Sequence, residues 1–280
     1  MMRIGRGGIR LVLGVLLLLG WVGVAGCGSA QPAGSSAGSA ESGSNQAAAL
    51  NVFAAASLTA AFQDIGKRFE ELHPGTRVHF NFGGSPTLLT QIAQGAPADV
   101  FASADMANME KAKSKGLVQG DKIFAKNSLV LITPKSNPAG IHQYQDLTKA
   151  KRVVLGVKDL PAGSYGRQSL QKADKVYGPG FSNAVLGHVV SEETDVKQIV
   201  NKIALGEGDA AFVYATDVDG SAGSKVQIIP VPNPVNVTAT YPMAVVTRSA
   251  HPDLAGEFVN FVLSKEGQAS LQNHHFLPAS

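Results

Sequence analysis

A single cysteine, Cys27, occurs in 280 residues, so no disulfide can form within the chain. Charge is scarce as well, at 16% of residues. The formal net charge of +3 overstates what the body carries: Arg3, Arg6 and Arg10 lie in the first ten residues, and no acidic residue precedes Glu41. From residue 28 onward 21 basic residues face 21 acidic ones. A neutral body with 6% aromatics and no basic stripe between them excludes an electrostatic case for nucleic acid. No G-x-S-x-G elbow, H-E-x-x-H pair, P-loop or G-x-G-x-x-G is present. The seven histidines are scattered. The adjacent pair His274-His275 diverges on a helix and reads as solvated surface, so no cation site is expected. No apolar run is long enough to cross a membrane: Leu11 to Val24 is 14 residues with three glycines, where a spanning helix needs about 20.

That short run, behind three arginines, has the form of a secretory signal. It ends in "VAGC", Val24 to Cys27, which resembles a bacterial lipobox, and this implies a lipid on Cys27. Residues 1–27 are therefore expected to be a lipoprotein signal peptide. Residues 28–49, rich in Gly, Ser and Ala and without large apolar side chains, cannot bury enough surface to fold. They read as a flexible linker reaching roughly 25 Å. The expected picture is a globular body tethered to the outer face of the cell membrane.

From Leu50 onward strands and amphipathic helices alternate. "LNVFAA" reads as a strand, and Leu58, Ala61, Phe62, Ile65, Phe69 and Leu72 mark one helical face. "RVHFNF", the helix "SPTLLTQIAQG", "ADVFAS" and the helix "DMANMEKAKSKG" follow. This order implies an α/β fold with parallel strands and right-handed crossovers. A second set contains the strands "SLVLITP", "KRVVLGV", "GHVVS", "DAAFVYAT", "KVQIIPV" and "TYPMAVV". Helices are expected from about Tyr165 and through Val196, with two more at 252–264 and 265–273. Two such sets suggest two lobes, with ligand at the carboxyl ends of strands where helices begin.

Polar residues recur at those helix starts. Ser57 and Ser85 are expected as N-caps, with Pro86 opening its helix, and Thr194 as the cap of the helix through Val196. Helix N-termini leave N–H groups unsatisfied and carry partial positive charge, so several converging in a cleft would hold an anion without lysine or arginine.

The stretches "VFAAASLTAAFQDIGKRF" and "FGGSPTLLTQIAQGAPADVFASAD", followed by "NSLVLITP", "DLPAGSYGRQSLQK", "EETDVKQIVNKIALGEGDAAFVYATD" and "YPMAVV", resemble the periplasmic molybdate-binding proteins of bacterial molybdate ABC transporters, the ModA family. The resemblance runs from about Leu50 to the C-terminus. It implies a type II periplasmic-binding-protein fold, two α/β lobes joined by a two-strand hinge. Lobe one would be 50–127 plus 241–280 and lobe two 128–240, with "SLVLITP" and "TYPMAVV" as hinge strands. It further implies an extracytoplasmic binding protein, not an enzyme, that captures molybdate or tungstate as ligand, needs no cofactor, and delivers to an ABC permease and its ATPase, as a monomer. The implied ligand set is Ser57 and Ser85, each through hydroxyl and N–H, Ala162 and Val196 through N–H, and the Tyr214 hydroxyl. Pro86 has no N–H to add.

Seven donors at roughly 1.5–3 kcal/mol each for a charged acceptor give on the order of 10–20 kcal/mol gross. A nanomolar constant needs about 12 net. None of the five positions is a carboxylate, which counts against protonated phosphate. The alternatives are a binding protein for another oxyanion such as sulfate, an enzyme on the same scaffold, and a structural lipoprotein. Asp99 and Asp105 are expected to be structural rather than catalytic.

Overall fold

The computed structural model describes residues 48–218 and 220–279. The signal segment, Cys27 and the linker as far as residue 47 lie outside the described residues. Strand β1 (Ala48–Ala55) begins two residues before the expected linker end, because Ala48 and Ala49 already pair with Thr76 and Arg77 of β2 (Thr76–Gly83). A 3₁₀ turn, Ala56–Leu58, separates β1 from α1 (Thr59–Leu72). Ala61, Phe62, Ile65 and Phe69 of α1 are buried as the periodicity predicts, whereas Leu72 at its end is exposed. Then come α2 (Ser85–Ala93), β3 (Val100–Ala102) and α3 (Met106–Ser114). Strands β2 and β3 flank β1 in parallel, as the β-α-β-α-β order requires.

Strand β4 (Val118–Pro134) is 17 residues long, where the sequence suggested only its apolar C-terminal part. Its first half carries Gly120, Asp121 and Lys122, and its ladder slips register at two places, so apolar alternation does not reveal it. Further on lie β5 (Val153–Gly156), α4 (Pro161–Tyr177), α5 (Phe181–Leu186), β6 (Val189–Glu193), α6 (Val196–Ala204) and β7 (Ala210–Tyr214). The short α7 (Gly220–Gly223), β8 (Val226–Pro230), β9 (Thr238–Val246), α8 (Pro252–Leu263) and α9 (Lys265–Asn273) complete the chain. Helix α4 starts four residues before Tyr165 because Pro161 takes its first position, where the missing N–H costs nothing.

The strands run in the order β2-β1-β3-β9-β4-β7-β5-β6, with β8 also on β4. Strands β4 and β9 join the two halves. Residues Val118 to Ser128 of β4 pair with β9, and from Leu129 onward β4 pairs with β7 and β8 instead. Helices α8 and α9 return onto α1 and β9. His274, expected as solvated surface, is engaged there: its Nε2 lies 2.8 Å from Asp64 Oδ2 of α1.

Each half has its own aromatic core. Phe62, Phe69, Phe80, Phe124 and Phe258 pack together on one side, and Tyr144, Tyr177, Phe181 and Phe212 on the other. Tyr241 of β9 stands between them, edge-on to Phe124, Tyr214 and Phe276. Such pairs contribute about 0.5–1.5 kcal/mol each beyond the area they bury.

Candidate functional site

The carboxyl ends of β1, β2, β5 and β7, and the loop after β6, converge on one cavity. Ser57, Gly84 and Ser85 line it from one half, and Ala162, Val196 and Tyr214 from the other. All five residues expected as ligands are thus brought together, each no more than 4% exposed. The cavity is small, about 10 Å³, room for roughly one water. No lining residue is charged. Among the described residues, no three His, Cys, Asp or Glu side chains gather as a cation site.

The local folding at Ser57, Ser85 and Thr194 differs from the capping expected of each. Ser57 lies in the 3₁₀ turn, and α1 has no side-chain cap. Its Oγ lies 2.9 Å from the Tyr241 hydroxyl instead. Ser85 is the first residue of α2 rather than its cap, which is Gly84. Its Oγ accepts the N–H of Ala104 at 3.1 Å. Thr194 is displaced as cap of α6 by Asp195, whose carboxylate accepts the N–H of Gln198 at 3.0 Å because it alone reaches back into the first turn. Neither serine satisfies its own helix, so the first-turn N–H groups stay available for a ligand.

At α2 the intrahelical ladder begins with Leu88, at α4 with Ser164 and at α6 with Ile199. The N–H groups of Ser85, Ala162 and Val196 precede those points and have no intrahelical acceptor. Three helix N-termini therefore aim partial positive charge at one place. Gly163 allows the first turn of α4 to lie on the loop after β5: a Cβ there would stand 2.3 Å from the Val157 carbonyl oxygen. Gly84 does the same across the cleft. Its Cβ would stand 2.1 Å from the Thr194 carbonyl oxygen, so only glycine permits this approach of the two halves.

Tyr214 is 1% exposed, and its hydroxyl hydrogen finds no acceptor among the described residues. Burial, reinforced by Tyr241, Tyr165 and the carboxylates of Asp217 and Asp105, pushes its phenol well above the ordinary tyrosine value, so it stays a donor. Asp217 Oδ2 accepts the Tyr214 N–H at 2.9 Å and fixes that strand end. The carboxylates of Asp99 and Asp105 are occupied, as expected of structural groups. Asp99 ties the N–H of Asn51 to Ser249 Oγ, and Asp105 caps α3 through the N–H of Asn108. No nucleophile stands beside a base in the cavity lining.

Three residues near the site were not singled out by sequence. Tyr241 and Asn127 sit behind Ser57, and Gly84 sets the closeness of the halves. Tyr241 lies in "TYPMAVV", where only its place in an apolar strand is visible; its contact with Ser57 spans 184 residues.

Residues 50–277 match the family of bacterial extracellular solute-binding proteins. The molybdate-binding protein ModA of Mycobacterium tuberculosis is 37% identical over 269 residues, covering 96% of this chain and 98% of that protein. The substrate binding domain of a putative molybdenum ABC transporter from Clostridium difficile superposes with a TM-score of 0.62 at 28% identity, over 83% of this chain and 100% of that one. The sulfate-binding protein SubI of Mycobacterium tuberculosis superposes with a TM-score of 0.73 over 83% of this chain and 88% of that one. At 20% identity this last likeness speaks to the fold alone.

Proposed function

The chain belongs to the ModA family of bacterial extracellular solute-binding proteins, and from that premise we propose that it captures molybdate, and with it tungstate, for an ABC importer. The observation that carries this reading is the Tyr214 hydroxyl, buried with no acceptor for its hydrogen among the described residues, in a cavity that helix N-termini surround and no charged residue lines. An unmet buried hydroxyl costs about 1–3 kcal/mol. A tetrahedral dianion would repay that cost with a charge-assisted bond.

In this reading Ser57 and Ser85 donate from one lobe, and Ala162, Val196 and Tyr214 from the other. The lobes are 50–127 with 241–280, and 128–240, and β4 and β9 form the hinge. A tetrahedral oxyanion is larger than one water, so the lobes part to admit it and close on it. None of the five is a carboxylate, and the serine and tyrosine hydroxyls are the only side-chain acceptors among them, so an anion that carries its own proton binds less well. Molybdate and tungstate are larger than sulfate, and a fixed ring of dipoles distinguishes them by radius. The protein works outside the cytoplasm, held at the membrane by a lipid on Cys27, as a monomer that hands its ligand to a permease and ATPase.

Titration calorimetry with molybdate, tungstate and sulfate tests this. Molybdate and tungstate are expected to bind in the nanomolar to micromolar range, and sulfate far more weakly. Tight sulfate binding without a molybdate response would transfer the assignment to sulfate.

A further inference from the structure

We propose that Tyr241 and Asn127 fix the direction of the Ser57 hydroxyl hydrogen, and thereby deny Ser57 as an acceptor to oxyanions that carry a proton, which lowers their affinity. The proposal rests on the oxyanion-binding reading above and adds two positioning residues to it.

Asn127 is wholly buried on β4, immediately before that strand changes partners. Its Oδ1 accepts the N–H of Ser128 at 2.9 Å. A backbone N–H can only donate, so the amide cannot turn over, and Nδ2 must face the other way. There Nδ2 donates to Thr216 Oγ1 at 2.8 Å and to the Tyr241 hydroxyl oxygen at 3.4 Å. The Tyr241 oxygen thus already accepts a proton. Its own hydrogen goes to its remaining neighbour, Ser57 Oγ, at 2.9 Å. Ser57, accepting from Tyr241, turns its hydrogen away from Tyr241 and toward the cavity that it lines.

The same logic holds at Ser85, where the polarity is set by the main chain. Its Oγ accepts the Ala104 N–H, which leaves the Ser85 hydrogen for the cavity. Both serines therefore accept one hydrogen bond from the protein and offer one to the ligand. A serine with unconstrained neighbours would donate or accept as needed, and would accommodate a protonated anion. Here the chain from Asn127 through Tyr241 to Ser57 removes that freedom.

Two anions of similar size and equal charge separate the effect of the proton from that of radius. Selenate carries no proton at mildly alkaline pH, whereas arsenate is the monohydrogen dianion. Calorimetry measures both, with molybdate, on the wild type, Tyr241→Phe and Asn127→Asp. Tyr241→Phe keeps the ring contacts with Phe124, Tyr214 and Phe276 and removes one oxygen. Molybdate binding is expected to weaken about 5- to 10-fold, because Ser57 is no longer held as a donor, and the selenate-to-arsenate preference to fall at least about 5-fold. In Asn127→Asp the carboxylate takes the Tyr241 hydrogen, Ser57 then donates to Tyr241, and the preference falls further.

Parallel weakening of both anions with an unchanged ratio, in either folded variant, overturns the proposal and leaves Tyr241 a packing residue. Failure of the wild type to bind molybdate overturns the oxyanion reading itself, and the donor polarity with it.

Discussion

Gly84→Ala is the sharpest test of how the two halves meet. The backbone at Gly84 has φ −65° and ψ 136°, a conformation any residue adopts, so alanine brings no conformational strain. The added methyl, however, would stand 2.1 Å from the Thr194 carbonyl oxygen and 3.1 Å from Leu160 Cδ1. Carbon and oxygen that are not bonded need more than 3 Å, so the β2–α2 loop and the β6–α6 loop must separate by about 1 Å or more. That displacement would lengthen the ligand bonds proposed for Ala162, Val196 and Tyr214 on the far side. Losing one to two charge-assisted bonds at roughly 1.5–3 kcal/mol each predicts a loss of about 1.5–6 kcal/mol, at least some 10-fold in affinity. Gly83→Ala is the matched control, since its Cβ meets only Leu88 side-chain atoms at 3.5 Å or more, an ordinary contact. Molybdate titrations of both variants, with melting temperatures recorded without ligand, decide the matter. Gly84→Ala should melt near the wild type and bind poorly, while Gly83→Ala binds normally. Near-wild-type affinity in Gly84→Ala would show that ligand grip does not depend on this approach.

Tyr214→Phe removes a hydroxyl whose hydrogen finds no acceptor among the described residues, so molybdate affinity should fall about 10- to 100-fold while ligand-free stability stays level or rises; unchanged affinity in calorimetry would take Tyr214 out of the site. Asp209 is partly desolvated, which raises its pKa, but bonds from the N–H groups of Lys151 and Arg152 and the Arg152 guanidinium outweigh this and hold it below the ordinary value. Its stabilisation is therefore complete above the ordinary carboxylate range near 4 and is lost as pH falls through the lower folded value; Asp209→Ala should cost roughly 2–3 kcal/mol at neutral pH by denaturant melts and flatten that acid limb. Cys27→Ser should release the protein from the membrane fraction on cell fractionation, and retention would refute lipidation.

The parts of this molecule legible in sequence are those written locally. Pro161 and Pro86 mark helix starts, and the apolar spacing of α1 marks its buried face. Ser57, Ser85, Ala162, Val196 and Tyr214 were found through family resemblance and strand–helix junctions, and they do converge on one cavity. The long antiparallel β4 was half hidden, because its first ten residues alternate poorly around two register slips. The caps were misassigned at Ser57 and Ser85 because a partner distant in sequence competed for each hydroxyl: Tyr241 for Ser57 and Ala104 for Ser85. Local spacing reports that a hydroxyl precedes a helix, and it is silent on which distant group takes its lone pair.

That competition bears on why the site uses no lysine or arginine. A cationic side chain attracts any anion within reach, whatever its protonation, and its flexible stem adapts to many radii. Dipoles fixed by the fold act only at short range and in set directions. Here each serine hydroxyl is held by the protein on its accepting side: Ser85 by a main-chain N–H, Ser57 by Tyr241, which is itself held by Asn127. Tyr214 is held by burial alone, with its hydrogen unclaimed. Asp105 and Asp217 lie behind this layer, close enough to contribute to raising the Tyr214 phenol, and their charge offsets part of what the helix N-termini supply. Only a ligand that meets several donors at once overcomes that offset. Affinity then depends on how many of the dipoles on both halves are reached together, which ties recognition of the ion to closure of the cleft around it.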